Sequence, residues 1–298
     1  MGKPHNDICC IGHATVDRVI TPESVHVMPG GTAYYFSSAL KAFDISLSVA
    51  TSFAQHDSAV FDAYGFDGEG WVISPGRYSH FFENEYNANR DYRKQRVLSQ
   101  GDPLRLEDIS AIRASWYHFG PLLAGDISED LVDWAAGQGK VSLDIQGCIR
   151  KVEGVQVVHN QWDKASSILP LVTTLKANYE EARLLTGFKR IKDSIKYLEQ
   201  FGVEEIIITL GSNGAIIHEK GQSRFIPAFF VQTPADTTGC GDTFMAGYLY
   251  SKLKGANTCE AGRFAAAMAA LKTHRHGPFV GSPADVQAWC NTADSVIG

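Results

Sequence analysis

From about Ser115 onward the chain repeats one pattern, a short apolar run followed by a segment with helical spacing. The runs include Trp116-Tyr117-His118-Phe119, Val141-Ser142-Leu143-Asp144-Ile145, Thr173-Thr174-Leu175-Lys176 and Glu205-Ile206-Ile207-Ile208-Thr209-Leu210. Apolar strands that alternate with helices predict an α/β chain, with a mainly parallel sheet covered by helices on both faces. The same order opens the sequence. Ile8-Cys9-Cys10-Ile11 ahead of Gly12 reads as a first strand, and Gly30-Gly31 opens a helix from about Thr32 to Phe43. In sheets of this Rossmann type, ligands bind outside the carboxyl ends of the strands, so the residues just after each strand are the ones to inspect.

Two stretches do not follow the pattern. Asp17 to Met28 alternates loosely around Val19, Val25 and Val27, and Trp71 to Ser99 is rich in aromatics, Arg and Lys. With no repeat, low-complexity tract or linker to divide 298 residues, these read as insertions at about 15–29 and 71–99. They would form a small β-strand lid on a single α/β domain spanning 1–298.

Composition excludes several classes of partner. A formal net charge of -6, with 44% apolar and 20% charged residues, gives no electrostatic reason to expect nucleic acid or anionic lipid. No apolar run reaches the roughly 18 residues of a membrane helix, and Ile8 to Ile11 is too short for a signal-peptide core. A cytoplasmic protein with a small-molecule ligand is expected. The six cysteines, at 9, 10, 148, 240, 259 and 290, form neither C-x-x-C pairs nor a disulfide framework, so reduced thiols are expected.

The strongest chemical signal is Asp236-Thr237-Thr238-Gly239-Cys240-Gly241-Asp242, followed by a run of helical spacing from Met245 to Leu253. Two glycines at the mouth of a helix let backbone N–H groups converge, and the helix dipole adds partial positive charge. Together these make an anion site. Physics alone leaves Asp242 as either an N-terminal cap or a reactive acid.

The stretch resembles the D-T-x-G-A-G-D signature of the ribokinase-like (PfkB-type) carbohydrate kinases, with Cys240 at the usual alanine position. The resemblance implies ATP-dependent phosphoryl transfer to a hydroxyl. Asp242 would be the general base, and Gly239, Cys240 and Gly241 the hole for the transferred group. A thiol at a helix N-terminus could also have a lowered pKa.

Three further elements fit the resemblance. Asn178 and Glu181 match the family's N-x-x-E element, which implies action on phosphates and on magnesium held by Glu181 through water; the same letters also spell a capping box. Thr209, Gly211 and Gly214 match a T-x-G-x-x-G turn near the nucleotide phosphates, although Asn213-Gly214 alone would simply read as a turn between strands. Thr238, His274 and Gly277 are expected around the nucleotide, and Asp236 at a possible site for a monovalent cation such as K+.

On the acceptor side the resemblance points to Asp17, Gly30, Gly31, Tyr35 and Gln146. Tyr35 replaces the Asn of ribokinase-type relatives, and Asp144-Ile145-Gln146-Gly147-Cys148-Ile149-Arg150 replaces D-x-N-x-R. These departures count against ribose. The stretches 93–103 and 141–150 are more similar to the plant myo-inositol kinase-like branch. One of Arg90, Arg93, Lys94 and Arg96 in the lid could cover the phosphoryl group. The family further implies a homodimer built through the lid.

Other chemistries lack their residues. The Gly-Lys pairs are followed by Pro4 and Val141, which excludes a Walker loop, and Gly12 stands alone where a dinucleotide fingerprint would need three glycines. No H-E-x-x-H occurs. The remaining alternatives are a nucleoside kinase of the same fold and a catalytically silent sugar- or nucleotide-binding sensor.

Overall fold

The computed structural model describes residues 5–62, 70–86 and 93–297, without the side chains of 93 and 292–297. The chain opens with β1 (His5–Ile11), then β2 (Thr15–Ile20), β3 (Val25–Gly30), α1 (Gly31–Leu40), β4 (Leu47–Ala54), α2 (Ser58–Asp62), β5 (Trp71–Gly76), β6 (His80–Tyr86) and β7 (Arg93–Ser99). The middle comprises α3 (Leu106–Ile109), β8 (Arg113–Phe119), α4 (Glu129–Ala136), β9 (Lys140–Asp144), β10 (Arg150–Glu153), β11 (Gln156–His159) and α5 (Ala165–Ile168). The rest follows as β12 (Thr174–Asn178), α6 (Tyr179–Thr186), α7 (Ile191–Glu199), β13 (Glu205–Thr209), β14 (Ala215–Glu219), β15 (Gln222–Ile226), α8 (Cys240–Leu253), α9 (Thr258–Lys272) and α10 (Pro283–Ile297).

Among the described residues, nine strands form the body sheet in the order β15-β14-β13-β12-β9-β8-β1-β4-β5, parallel throughout except for the antiparallel β13-β14-β15 edge. Alternate side chains feed two separate cores, as a doubly covered sheet requires. Ile8, Cys10 and Ile207 pack with α1, α8 and α9, whereas Cys9, Ile11, Ile206 and Ile208 pack with α4, α6 and α7. Burial raises the thiol pKa values of Cys9 and Cys10, and all six cysteines are free.

The lid is a second sheet of six strands, β10-β11-β7-β6-β2-β3. Its membership differs from the expected 15–29 and 71–99 in two respects. Strand β5 pairs in parallel with β4 and ends the body sheet; its Pro75 is tolerated because an edge strand can do without one ladder donor. In its place the lid gains the β10–β11 hairpin, which turns at Gly154 with φ +64°.

Where the chain passes between the sheets, buried polar groups bind one passage to another. His13 Nε2 donates to the Asp102 carbonyl at 2.9 Å, and Gly101 N–H donates to His80 Nδ1 at 3.0 Å. The proton of His80 therefore lies on Nε2, which donates to Asp126 Oδ1 at 3.0 Å. Asp126 Oδ2 in turn accepts from Leu122 and Leu123 N–H at 2.8 and 2.9 Å. His13, His80 and Asp126 approach closely enough to be read as a metal site, but a protonated Nε2 is no ligand, so the cluster is a hydrogen-bonded knot. Burial, then His80, pushes the His13 pKa down to about 4.

Candidate active site

One cavity of about 450 Å³ opens at the carboxyl ends of β9, β12 and β13, under the lid. It gathers Asp17, Gly31, Tyr35, Gln146, Asn178, Glu181, Thr209 and the run Thr238 to Asp242 from the residues expected of a site. Gly30, Gly211, Gly214, Asp236, His274 and Gly277 stand outside its lining.

The body wall is built on the start of α8. Gly239 caps it at φ +74°, a conformation that favours glycine, and a Cβ there would lie 2.2 Å from the Tyr35 ring. A Cβ on Gly241 would lie 2.9 Å from Lys176 Nζ. Gly239 is therefore set by its conformation and by the Tyr35 ring, a side chain at Gly241 would displace the Lys176 ammonium, and the turn leaves first-turn amides of a 14-residue helix beside the cavity.

Asp242 follows directly. Burial, and then the charge of Asp144, pushes its pKa up to about 6, against the opposing effects of Lys176 and a hydrogen bond with Thr32. A carboxylate that ionises near neutrality, next to an anion site, suits proton removal from a hydroxyl.

Cys240 does not have the lowered pKa that a helix N-terminus could give a thiol. Burial pushes it up to about 11, which outweighs the help of Lys272, and its Sγ faces the Ala269 carbonyl at 3.8 Å. At neutral pH it is a small buried thiol.

Asn178 and Glu181 form the capping box of α6: Glu181 N–H donates to Asn178 Oδ1 at 2.8 Å, and Asn178 N–H to Glu181 Oε2 at 2.7 Å. Both nevertheless line the cavity, so the cap and the site coincide. Burial raises the Glu181 pKa, and Lys176 opposes the shift.

Asp236 lies one layer behind. Its Oδ1 accepts from Thr238 N–H at 2.8 Å and its Oδ2 from Gly277 N–H at 3.2 Å. The buried Lys272 ammonium donates to both Asp236 O and Oδ2, each at 2.9 Å. Burial would raise the Asp236 pKa, but Lys272 overrides it and holds the carboxyl below its ordinary value. Asp236 thus braces the turn, and its carboxylate is already matched by a lysine where a monovalent ion was expected. His274 is exposed, with Nδ1 3.2 Å from the Leu271 carbonyl and its ring edge-on to Trp289. Gly211 and Gly214 shape the β13–β14 turn at φ +60° and +101°.

The lid wall is a row of polar side chains from four strands. Asp17 on β2 accepts from Thr15 Oγ1 at 2.6 Å and from Asn84 Nδ2 on β6 at 3.4 Å. Asn84 Oδ1 accepts from Gln95 Nε2 on β7 at 2.9 Å, and Gln95 Oε1 accepts from the Arg150 guanidinium on β10. Asn84, Gln95 and Arg150 were not singled out as site residues in the sequence, nor were Asp144 and Lys176 on the body side. Lys176 does carry a signal: it lies two residues before Asn178 on one strand and so shares its face.

Arg96 pairs with the buried Glu83, and Lys94 is exposed. Arg90 and the side chain of Arg93 lie outside the described residues.

The sequence model of the pfkB family carbohydrate kinases matches residues 92–285. A ribokinase of Haemophilus influenzae is 34% identical over 143 residues, which is 45% of this chain and 46% of that protein. A cytidine kinase of Thermococcus kodakarensis is 26% identical over 264 residues, covering 84% and 89% of the two chains. Among solved structures, a pyrophosphate-dependent kinase in the ribokinase family, complexed with a pyrophosphate analogue and myo-inositol, superposes with a TM-score of 0.83. It is 25% identical and covers 94% of this chain and 99% of its own. The glycine turn before Asp242, the sheet that presents it and a family match over more than half the chain agree: this protein belongs to the PfkB family of carbohydrate kinases and has the ribokinase-like fold.

Proposed function

We propose that this kinase transfers the terminal phosphoryl group of ATP to a hydroxyl of a sugar or polyol, with myo-inositol as the first candidate. The observation that carries the reading is the position of Asp242 in one cavity with both an anion site and a hydroxyl-binding row. It has a pKa near 6, follows the Gly239-Cys240-Gly241 turn, and shares the cavity with Asp17, Asn84, Gln95 and Arg150. An acid, two amides and a guanidinium offer donors and acceptors in alternation, which suits a ring bearing several hydroxyls more than one bearing a base.

In the reaction the acceptor oxygen forms a bond to phosphorus as the bond to the leaving phosphate breaks. The hydroxyl proton passes to the Asp242 carboxylate. Asp17 orients the acceptor by accepting from its hydroxyls, and the lid excludes water.

The cavity lining carries four carboxylates, Asp17, Asp144, Glu181 and Asp242, against two cations, Lys176 and Arg150. That surplus of acid oxygens fits a divalent ion. Glu181 with Asn178 would hold magnesium through water, and magnesium would supply charge neutralisation for the donor phosphates. Lys272 already matches Asp236, so K+ is given no part.

A second reading of the donor also has support. Of the residues expected around the nucleotide, His274 and Gly277 lie outside the cavity, as do Gly211 and Gly214 of the phosphate-side turn, whereas Thr238, Thr209, Asn178 and Glu181 line it. That distribution also suits pyrophosphate, the donor named for the structural neighbour. A homodimer through the lid is favoured by β3, an edge strand with Val25 and Val27 60% and 52% exposed; Val27→Lys should shift the mass in solution to the monomer.

The test is phosphoryl transfer by purified protein with magnesium, with ATP or pyrophosphate as donor, across polyols, pentoses, hexoses and nucleosides. Acceptor-dependent turnover that disappears in Asp242→Asn is expected. A nucleoside preference would move the acceptor assignment, and ligand binding without turnover for every pair would favour a silent sensor.

A further inference from the structure

We propose that Lys176 is a catalytic residue that holds the donor's phosphates against the glycine turn, and that Asp144 is its positioning residue. The inference rests on the kinase reading above and applies equally to ATP and to pyrophosphate.

Lys176 is a buried cation on the floor of the cavity, 5% exposed at the carboxyl end of β12. Its Nζ lies 2.6 Å from Asp144 Oδ2, and that oxygen comes from the neighbouring parallel strand β9, in register at Lys176 and Asp144. An ammonium has three N–H donors. Among the described residues Asp144 is its one side-chain hydrogen-bond partner, so the pairing uses one.

The position of the ammonium is set relative to the anion site as closely as to Asp144. It would be 2.9 Å from a Cβ on Gly241, so a side chain at residue 241 would push the ammonium out of this place. Backbone amides of the α8 first turn and the Lys176 ammonium therefore flank the same small volume, the place where charge builds on a phosphoryl group in transfer.

A lysine buried for structure alone would be expected against one carboxylate. This one faces three, Asp144, Glu181 and Asp242, and all three line the cavity with it. Its ammonium is paired with the Asp144 carboxylate at 2.6 Å on the cavity floor. It keeps its proton through the reaction: the proton of the acceptor goes to Asp242 and the electron pair of the broken bond to the leaving phosphate. Without a cation here, an anionic donor would enter a space lined by three acids with nothing fixed in the floor to offset them.

The pair also sets when Asp242 is ionised. Lys176 lowers the Asp242 pKa and Asp144 raises it. The two residues therefore act with opposite sign on the acid limb of the pH–rate profile.

The experiment compares wild type with Lys176→Met, Asp144→Asn and the double variant Lys176→Met/Asp144→Asn, using the donor and acceptor found active. Each is assayed for kcat and KM from pH 5 to 9 and for thermal stability. Lys176→Met should lose about 10²–10³-fold in kcat, as for removal of a charge-stabilising group, while the acceptor KM stays within about threefold. Its acid limb should move to higher pH, and that of Asp144→Asn to lower pH.

Because Lys176→Met leaves Asp144 buried and unpaired, it could fail to fold. The double variant, which is neutral at both positions, should melt near the wild type and still be slow. If the double variant instead recovers wild-type kcat, the pair is structural only and the proposal is overturned. It is also overturned if Lys176→Met keeps kcat within about threefold. Should that happen while Asp242→Asn is inactive, the kinase reading stands without Lys176; absence of turnover in wild type with every donor and acceptor would overturn both.

Discussion

The two walls of the cavity are made in different ways. The body wall comes from short contiguous pieces at the ends of neighbouring strands: Asp144, Lys176 to Glu181, Thr209, and the turn before α8. The lid wall comes from residues 17, 84, 95 and 150, one from each of four strands of the lid sheet, linked in a row by side-chain hydrogen bonds. A wall fixed by backbone and glycine geometry suits a reaction common to a family, and a wall fixed by exchangeable amides suits a choice of acceptor.

Substitution can break or sharpen that division. The largest effect should come from Asp242→Asn, with kcat down by about 10²–10⁴-fold for every acceptor alike. If the loss instead varied strongly among acceptors, the body wall would be selecting substrate as well as reacting.

Next in size are Asn84→Leu and Gln95→Leu, each of which removes donors and acceptors from the lid row. Each should raise the KM of the best acceptor by about 10–100-fold and reorder the acceptor panel, because a buried hydrogen bond left unmade costs about 1–3 kcal/mol. The donor KM should stay within about twofold. Parallel losses for donor and acceptor would show that the row acts on both sides of the cavity.

A smaller effect concerns stability. The Asp242 pKa is raised to about 6 from its ordinary value near 3.8, so the folded state holds this proton more tightly than the unfolded chain. Stability from this group is therefore present below about pH 4 and lost as pH rises through 6. Asp242→Asn should accordingly melt a few degrees above wild type at pH 7.5 and lose that gain by pH 4, a difference that calorimetry at the two pH values would show. The smallest effect is expected from the salt: exchanging K+ for Na+ at constant ionic strength should alter kcat by less than about twofold, since Lys272 already compensates Asp236.

How far each wall could be read from the sequence follows the same division. Asp242 and its glycines lie within seven residues at a helix mouth, and local geometry is what sequence patterns record. The parallel body sheet was legible for the same reason, since each strand carries its own apolar run.

The lid row was not legible, because nothing in the letters around Asn84, Gln95 or Arg150 specifies which strand pairs with which. The β10–β11 hairpin had a local signal in Glu153-Gly154-Val155, but it lies where a crossover to the next helix was expected. Strand β5 falls in the stretch from Trp71 to Ser99 whose aromatics, Arg and Lys mark it as lid, and nothing local shows that it pairs with β4 at the edge of the body sheet, where Pro75 is tolerated. Lys176 and Asp144 sit in readable strands; what was missing was the knowledge that β9 and β12 are neighbours.

The knot of His13, His80, Asp102 and Asp126 bears on how such a protein could diversify. The bonds of His13 and His80 each tie one passage between the sheets to another, so the position of the lid depends on partners drawn from several of them. A lid transplanted from a relative strand by strand would arrive with these bonds mismatched, and buried polar groups would be left without partners. Grafted together with its crossing residues, it could travel as one cassette and carry a different acceptor preference onto an unchanged reaction centre.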